Sequence, residues 1–312
     1  MPRFVTFTPN PALDVSTSVD KLVDAHKLRC DEPQLHPGGG GINVARVLHR
    51  LGGEVQAIYP VGGATGERLH GLLQAEGVPD LHWAIAGETR ESFTVHERES
   101  GREYRFVLPG PALTDAEWRS GLIALRQMSP APAWVVASGS LPPGMAADGH
   151  AQIARVAQEI GARMVVDSSG QALSAALAQG VWLVKPSLRE LAELTGSALS
   201  TTAAQRQAAR QLIERGQAHM VALSLGAEGA MLVTADQCLM ADALSVPVVG
   251  SVGAGDSFLA GLVWALDAQL ALPQALATAM AAGAAAVMTP GTALCQPQDV
   301  ATLREQVRIQ PC

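Results

Sequence analysis

A glycine-rich stretch that ends in an aspartate carries the strongest chemical signal in the chain. Residues 250–256 read GSVGAGD, follow the apolar segment 244–249, and lead into a helical pattern that begins near Gly255. Such a turn gathers unpaired backbone N–H groups at a helix N-terminus, where they bind phosphate. A carboxylate would repel a phosphate, so Asp256 makes chemical sense as a base that accepts a proton from an attacking hydroxyl. The alternative interpretation is that Asp256 only caps the helix.

A second glycine run opens another helical pattern. Residues 37–46 read PGGGGINVAR, and Asn43 falls in the first helical turn. Its amide and the neighbouring backbone N–H groups could bind sugar hydroxyls or a phosphate. Four consecutive glycines lose much conformational entropy on folding, which favours function over the alternative of a flexible loop. The run does not follow a long buried strand and has no acidic residue about 20 residues beyond it, so it does not indicate dinucleotide binding.

Charged residues also mark two segments that lack a helical pattern. Asp14 begins the first segment, and Lys27 and Arg29 alternate on an expected strand there, so that both point to one face. Arg90 and Arg105 belong to the second segment. Cations that face the rest of the protein would suit a sugar phosphate. The alternative is ordinary charge on the solvated edge of a sheet.

Three loops that follow expected strands carry weaker signals. Residues 138–144 turn sharply and include Ser140, as a binding loop at the end of a strand would. Lys185 could contact phosphates, and Glu190 could orient Mg²⁺ through water. Residues 224–229 could form a loop that runs close to the phosphates of a nucleotide. The eight histidines and four cysteines show no metal-ligand spacing, so we expect surface or core histidines and reduced thiols.

Composition limits the classes of partner. The chain has 312 residues, of which 48% are hydrophobic and 16% charged, and its formal net charge is −7. This is a globular balance without the overall positive field that nucleic acid or an anionic membrane requires. We find no signal-peptide pattern and no apolar run of the ~20 residues needed to span a membrane. We therefore expect a cytoplasmic protein that binds small molecules and neither nucleic acid nor membrane.

Short apolar runs alternate with amphipathic stretches along most of the chain. This order predicts an α/β fold with a mostly parallel sheet covered by helices on both faces. The expected strands are 55–61, 133–137, 163–166, 181–184 and 220–225, and the expected helices are 42–51, 66–76, 150–160, 188–194 and 203–215.

Two segments break this alternation and predict a small separate β layer. Residues 13–36 alternate polar and apolar side chains, and residues 92–108 indicate a hairpin. We expect a single unit, 1–312, in which a lid formed by about 13–36 and 89–108 projects from a body formed by 1–12, 37–88 and 109–312. A projecting sheet with an apolar face must cover a ligand or a second subunit.

These motifs together resemble the PfkB family of ribokinase-like carbohydrate kinases. The matching motifs occur in order at residues 10–14 (NPALD), 38–45 (GGGGINVA), 138–144 (SGSLPPG), 185–190 (KPSLRE) and 252–256 (VGAGD). Residues 37–46 and 291–295 (GTALC) are most similar to the PfkB-type (minor, enteric-type) 6-phosphofructokinase subgroup. The chain differs at Ser187, where the family motif has Asn, and at Ala293, where the subgroup has Arg.

The resemblance implies a three-layer α/β/α sandwich with a β-sheet lid, in a homodimer formed lid to lid, that uses ATP, Mg²⁺ and, in members of this type, K⁺. It implies that Asp256 is the base and that the amides of Gly253, Ala254 and Gly255 form an anion hole. The sugar would be held by Asp14, Gly39, Gly40, Asn43 and Ser140, and its phosphate by Lys27, Arg90 and Arg105. ATP would be contacted by Lys185, Ser187, Ser224, Gly226, Gly229 and Val252. Glu190 would hold Mg²⁺ through water, and K⁺ would lie near Ser251, Val252, Ala286 and Gly291.

The expected reaction is ATP-dependent phosphorylation of fructose 6-phosphate at its C1 hydroxyl. Fructose 1-phosphate and tagatose 6-phosphate remain open as substrates, because each presents a similar phosphate and hydroxyl pattern. A sugar-phosphate sensor without turnover is a more remote alternative. A nucleoside kinase would leave the cations Lys27, Arg90 and Arg105 without a purpose, since its substrate carries no phosphate.

Overall fold

The structure, a computed structural model, describes residues 2–312 and contains fourteen strands and ten α-helices among them. The strands are β1 (Phe4–Phe7), β2 (Ala12–Val19), β3 (Gln34–Gly38), β4 (Val55–Val61), β5 (Asp80–Ala84), β6 (Arg90–Glu97), β7 (Arg102–Val107), β8 (Trp134–Ser138), β9 (Arg163–Asp167), β10 (Val181–Val184), β11 (Ala218–Ser224), β12 (Ala230–Val233), β13 (Cys238–Ala241) and β14 (Ile309–Pro311). The helices are α1 (Gly40–Arg50), α2 (Gly63–Ala75), α3 (Asp115–Arg126), α4 (Gly149–Glu159), α5 (Gly170–Gln179), α6 (Leu188–Thr195), α7 (Thr202–Glu214), α8 (Ala254–Asp267), α9 (Leu272–Val287) and α10 (Pro297–Arg304).

A ten-stranded sheet forms the centre of the body. Its strand order is β14-β13-β12-β11-β10-β9-β8-β1-β4-β5. The seven strands from β11 to β5 run parallel, and β12, β13 and β14 add an antiparallel edge. The prediction of a mostly parallel sheet is therefore confirmed.

Helices cover both faces of this sheet, because its strands are apolar on both sides. Alternate residues of a strand enter opposite cores, as Phe4 and Val5 do in β1. Helices α1, α2, α8, α9 and α10 contribute to the core that contains Phe4, and α3 to α7 contribute to the other. The result is the predicted three-layer α/β/α sandwich.

The smaller sheet has four strands in the order β3-β2-β6-β7. Its two faces differ in chemistry because the register places polar residues beside polar residues and apolar residues beside apolar ones. Asp14 pairs with Ser92, and Thr94 with Arg105, on the polar face. Val15 pairs with Phe93, and Phe93 with Phe106, on the apolar face. Ser92 and Thr94 are buried towards the body, whereas Phe106 is 53% exposed.

One expectation about these segments needs correction. Residues 20–33, which join β2 to β3, form no strand, so Lys27 and Arg29 do not share a strand face. Both side chains lie in an exposed connection. Polar–apolar alternation over a few residues does not produce a strand where no neighbouring backbone is available to pair with it. The other expected strands and helices agree with the structure within a few residues at each end.

The expectation of reduced thiols is also wrong for one pair. Cys238 and Cys312 form a disulfide between β13 and the end of β14, with their Cα atoms 5.2 Å apart. They are separated by 74 residues in sequence, and only the antiparallel pairing of the two strands brings them together. Cys30 and Cys295 are free.

Within residues 2–312, none of the helices is both long enough and apolar enough to cross a membrane.

Candidate active site

The polar loops of the molecule meet at one edge of the large sheet. Parallel strands end at the same edge, and ligands bind in open α/β sheets beyond those carboxyl ends. Strand β8 ends at Ser138, β9 at Asp167 and β10 just before Lys185, while β11 ends at Ser224. The sequence motifs therefore converge although they are far apart in the chain.

The start of α8 has the geometry of an anion site. Gly253 precedes the helix with φ +79°, in the left-handed region that favours glycine. The Ser257 amide makes an early helical bond to the Gly253 carbonyl at 2.8 Å. The amides of Ala254 and Gly255 precede that bond and have no carbonyl to pair with inside the helix. A side chain at Gly255 would lie 3.6 Å from Lys185 Nζ, so an ammonium group stands beside this helix end.

Asp256 lies in the first turn of α8, where Asn43 holds its carboxylate. Asn43 Nδ2 donates to Asp256 Oδ2 at 2.9 Å. Burial raises the pKa of the Asp256 carboxyl, and the Asn43 hydrogen bond and the charges of Lys185 and Arg105 oppose that rise. A carboxylate with a raised pKa and a fixed orientation is suited to accept a proton from a hydroxyl group.

The glycine run has a packing role that the sequence does not reveal. Gly39 has φ +109°, and a side chain at Gly41 would meet Thr8 and lie 2.9 Å from the Phe7 carbonyl. A side chain at Gly40 would meet Ser138 and lie 3.0 Å from the Gly139 amide. Only glycines therefore allow α1 to begin directly against the ends of β1 and β8. That close approach puts Asn43 within reach of Asp256.

Arg46 joins Asn43 to the loop that follows α9. It is fully buried, and its Nη2 lies 2.6 Å from Glu76 Oε1. Its Nη1 donates to the carbonyl of Thr292 at 2.9 Å and to Asn43 Oδ1 at 3.4 Å. Arg50 shares Glu76 and donates to the Ala293 carbonyl. Neither Arg46 nor Glu76 was predicted to be functional, because Glu76 lies 30 residues from Arg46 in sequence.

Lys185 is paired with a carboxylate that the sequence analysis missed. Lys185 Nζ lies 3.1 Å from Asp167 Oδ1, and Lys185 is buried. Burial raises the pKa of Asp167 to about 6, against the effect of Lys185, while Asp256 and Glu190 raise it further. The available signal was an acidic residue directly after the apolar run 163–166, at the carboxyl end of a buried strand.

Ser187 and Glu190 cap α6 reciprocally. The Ser187 amide donates to Glu190 Oε2 at 2.7 Å, and the Glu190 amide donates to Ser187 Oγ at 3.3 Å. Serine is a favourable residue at this position, which explains how it is tolerated where the family motif has Asn. Strand β11 adds Ser224, whose amide donates to the Pro186 carbonyl at 3.0 Å.

The loop after Ser224 contains two glycines with positive φ. Gly226 has φ +61° and open space around a would-be side chain. Gly229 has φ +107°, and a side chain there would clash with the Ala241 carbonyl. Gly229 is therefore required by packing, whereas the surroundings of Gly226 leave room for a ligand.

The smaller sheet supplies Asp14, Arg90 and Arg105. Asp14 is 7% exposed, and burial raises its pKa while nearby Arg105, Arg46 and Arg90 oppose the rise. Arg90 donates to the carbonyls of Asn10, Pro11 and Leu108, so it fastens the points where the chain enters and leaves the smaller sheet. Arg105 is exposed, and its charge acts on both Asp14 and Asp256.

Two further predicted ligands are Ser140, for the sugar, and Lys27, for its phosphate. Ser140 is exposed, and its Oγ accepts a bond from Asn10 Nδ2 at 3.2 Å. Lys27 is exposed in the connection between β2 and β3 and makes no hydrogen bond or ion pair to any residue in 2–312. The structure therefore does not bring Lys27 into contact with the other cations.

A cleft of about 250 Å³ separates the polar face of the smaller sheet from the body. Ser16, Thr94 and His96 line one wall, and Val249 and Gly291 line the other. These polar residues were not predicted as ligands, because their hydroxyl and imidazole groups stand on strands without a motif. Glu103 bridges the walls by accepting a 3.5 Å bond from Ser251 Oγ.

The positions named for K⁺ surround the start of α8 and the end of α9. Ser251 is exposed and Val252 is buried. Gly291 has φ +55°, and a side chain there would clash with Ser16. The Ala286 carbonyl accepts both the Thr289 amide at 3.2 Å and Thr289 Oγ1 at 2.9 Å, so it is less free to bind an ion than the other three.

Comparisons with known proteins agree with this arrangement. The family model described as pfkB family carbohydrate kinase matches residues 12–299. The chain is 46% identical over 299 residues to ATP-dependent 6-phosphofructokinase isozyme 2 of Mycobacterium tuberculosis (strain H37Rv), covering 96% of this chain and 88% of that protein. It is 41% identical over 300 residues to the protein of the same name from Escherichia coli (strain K12), covering 96% and 97%.

A solved structure gives the same result in three dimensions. The crystal structure of phosphofructokinase-2 from Escherichia coli in complex with fructose 6-phosphate matches with a TM-score of 0.92 at 40% identity, covering 98% of this chain and 99% of that one. Other structures of that protein are described with substrates and products, with potassium, and as a tetrameric inhibited form. The family match spans most of the chain, and both relatives exceed 40% identity over nearly its full length. The chain therefore belongs to the pfkB family of carbohydrate kinases.

Proposed function

We propose that this protein transfers the γ-phosphoryl group of ATP to the C1 hydroxyl of fructose 6-phosphate and releases fructose 1,6-bisphosphate. The observation that carries the proposal is the oriented Asp256 carboxylate beside the unpaired amides at the start of α8. The choice of substrate is supported by the names of the two relatives and by the fructose 6-phosphate complex of the Escherichia coli protein. We also expect the enzyme to act in the cytoplasm, where ATP is available.

Asp256 would accept the proton of the C1 hydroxyl as that oxygen attacks the γ-phosphorus. Asn43 would hold the receiving carboxylate in place through its hydrogen bond. The amides of Gly253, Ala254 and Gly255 would bind the charge that develops on the transferred phosphoryl oxygens. Such positioning and charge stabilisation supply most of the rate in phosphoryl transfer.

The nucleotide side is suited to ATP with Mg²⁺. Asp167, Glu190 and Asp256 all influence the charge state of Lys185, so three carboxylates surround one ammonium group. This surplus of negative charge and oxygen ligands suits a hard divalent cation. Mg²⁺ bound there, with Glu190 acting through water, would neutralise phosphate charge. Lys185, Ser187, Ser224 and Gly226 would contact ATP, and K⁺ near Ser251 and Val252 is a further expectation.

Segments 13–36 and 89–108 would act as a lid on the single kinase unit. Ser16, Thr94 and His96 of their polar face line the cleft opposite Val249 and Gly291 of the body. Asp14 would bind sugar hydroxyls, and Arg105 with Arg90 would face the 6-phosphate. A closed lid would exclude water and so limit wasteful hydrolysis of ATP.

The apolar face of the lid would form a homodimer interface. Phe106, Val107 and Leu108 are 53%, 55% and 44% exposed, and Phe106 lies opposite Phe93 on the outward face. The Escherichia coli protein is described in a tetrameric inhibited form, so a dimer would be the smaller assembly unit. Light scattering on the wild type and on Phe106→Glu tests the interface, since a buried carboxylate should dissociate it.

Steady-state kinetics on the purified protein test the choice of substrate. Release of ADP is measured with fructose 6-phosphate, fructose 1-phosphate and tagatose 6-phosphate in turn. We expect the highest kcat/KM with fructose 6-phosphate. A higher value with either of the others would reassign the substrate, and binding of all three without ADP release would favour the sensor.

A further inference from the structure

A compact group of two histidines and an aspartate lies outside the active site. His70 belongs to α2, and Asp80 and His82 belong to β5, which is an edge strand of the large sheet. Residues 80 and 82 of a strand point to the same face, and α2 packs over that face. No active-site residue described above lies in this group.

The three side chains converge on one point. Asp80 Oδ2 lies 3.0 Å from His82 Nδ1 and 3.2 Å from His70 Nδ1. One ligand atom from each of the three residues can be chosen so that all lie within 4.8 Å of one another. Two adjacent ligands bound at ~2.0–2.1 Å to the same ion are about 2.8–3.4 Å apart in octahedral or tetrahedral geometry. The two measured separations fall in that range.

Tyr59 brings a phenol to the same point. Its Oη donates to Asp80 Oδ2 at 3.0 Å and lies 3.1 Å from His70 Nδ1. The centroids of the His70 and His82 rings are 4.2 Å apart. A single ion between the three ligand atoms could therefore be bound by both imidazole nitrogens and the carboxylate at once.

The surroundings resemble the supporting shell of a metal site. Tyr59 is fully buried, and its hydroxyl fixes the orientation of Asp80, as outer-shell groups do for ligating carboxylates. Exposure rises from 9% for the Asp80 side chain through 17% for His70 to 38% for His82. The group therefore opens to solvent on the His82 side, where water could enter and complete the coordination.

We propose that His70, Asp80 and His82 bind a divalent transition-metal ion of the Zn²⁺ type. Two imidazole nitrogens and one carboxylate suit Zn²⁺ and its neighbours, whereas Mg²⁺ prefers oxygen ligands. The site is therefore distinct in chemistry from the Mg²⁺ proposed for the reaction. A bound ion would join α2 to the edge strand β5 and so stabilise that edge of the sheet.

The direct test is calorimetric titration of the metal-free full-length protein with Zn²⁺ in excess Mg²⁺. The protein carries Cys30→Ser, because the exposed Cys30 thiol could bind Zn²⁺ by itself. We expect one saturable Zn²⁺ per chain. His82→Gln should weaken binding at least about tenfold, since even outer-shell losses weaken metal sites by ~10–100-fold. His219→Gln replaces another exposed strand histidine and should leave the affinity unchanged.

Further variants separate metal binding from a loss of folding. His70→Gln should behave as His82→Gln does, and Tyr59→Phe, which keeps the ring, should weaken Zn²⁺ binding by about 10–100-fold. Added Zn²⁺ should raise the Tm of the wild type and not that of His82→Gln. Co²⁺ should give a visible absorption band only where both histidines are present. Equal Zn²⁺ affinity in the wild type, His70→Gln and His82→Gln, or no saturable binding to the wild type, would overturn the proposal.

Discussion

The body and the smaller sheet hold their charged groups in different ways. On the body, each such group has a protein partner: Asp256 with Asn43, Lys185 with Asp167, and Arg46 with Glu76. On the smaller sheet, Arg105 makes no hydrogen bond or ion pair with any residue from 2 to 312, and neither does Lys27 in the adjoining connection. The body groups are therefore already in position, whereas Arg105 and Lys27 remain available to a ligand.

This difference predicts different kinetic effects. Groups that are fixed before the reaction stabilise the transition state without further reorganisation, so their loss lowers kcat. Free cations that bind a remote phosphate contribute to ground-state binding as well, so their loss raises KM. The following four predictions test that division.

The largest effect is expected from Asp256→Asn. Removing the base should lower kcat by about 10²–10⁴-fold and leave the KM for sugar phosphate nearly unchanged. ADP release measures both constants. Asp267→Asn is the control at the other end of α8, where Asp267 pairs with Arg3 at 2.6 Å. That control should keep its kcat. Near wild-type activity in Asp256→Asn would show that Asp256 is not the base and only caps the helix.

Arg105→Gln should act mainly on KM. A hydrogen bond to a charged group is worth ~1.5–3 kcal/mol, which corresponds to a rise of about 10–100-fold in the KM for fructose 6-phosphate. Arg102→Gln is the matched control on β7, because Arg102 and Arg105 point to opposite faces. A fall in kcat with KM unchanged would contradict the division between the body and the smaller sheet. Lys27→Gln measures whether the exposed lysine contributes at all.

Arg46→Lys tests the hydrogen-bond and ion-pair network of the body. Lysine keeps the charge but cannot reproduce the pair of bonds to Glu76 together with those to Asn43 and the Thr292 carbonyl. We expect the free energy of unfolding to fall by about 1–3 kcal/mol and kcat to fall several-fold, because Asn43 loses a partner. Urea denaturation and kinetics measure these changes. Arg50→Lys, at the more exposed edge of the same network, should have smaller effects on both, and equal effects would remove the special role of Arg46.

The smallest expected effect is a shift in the pH profile. Asp256 works as a base only when ionised, so kcat/KM should fall as the pH falls through its raised pKa. The acid limb should therefore lie above the ordinary aspartate value of 3.8. Asn43→Ser removes the hydrogen bond that lowers this pKa, so the limb should move to higher pH. The limb of Arg102→Gln should not move, and a downward shift in Asn43→Ser would contradict the assignment.

Much of the fold follows from local patterns in the sequence. Strand β4 was expected at 55–61 and is observed at Val55–Val61, because a continuous apolar run between turns has few other solutions. The start of α8 at Ala254 follows from its glycines and the apolar helix beyond them. The sugar-side motifs were also found from the sequence, since each places unusual residues beside a helix start or a strand end.

Other parts of the site depend on contacts that no local pattern records. Asp167 meets Lys185 only because β9 and β10 are neighbours, and Arg46 meets the 290–295 loop only because α1 and α8 pack together. At Lys27 the local pattern predicted a strand that does not form, because no neighbouring strand pairs with this segment. Pairing in three dimensions overrides the alternation of side chains wherever a segment is short and polar.

The sequence by itself therefore determined the class of fold, the order of its elements and the glycine-bounded turn that holds Asp256. Only the tertiary structure decided which distant residues form an ion pair, a disulfide or a metal-binding group. Cys238 and Cys312 illustrate the disulfide, and His70, Asp80 and His82 illustrate the metal-binding geometry. The physical reason is that periodicity and turn chemistry act over a few residues, whereas these contacts form when whole strands and helices pack side by side.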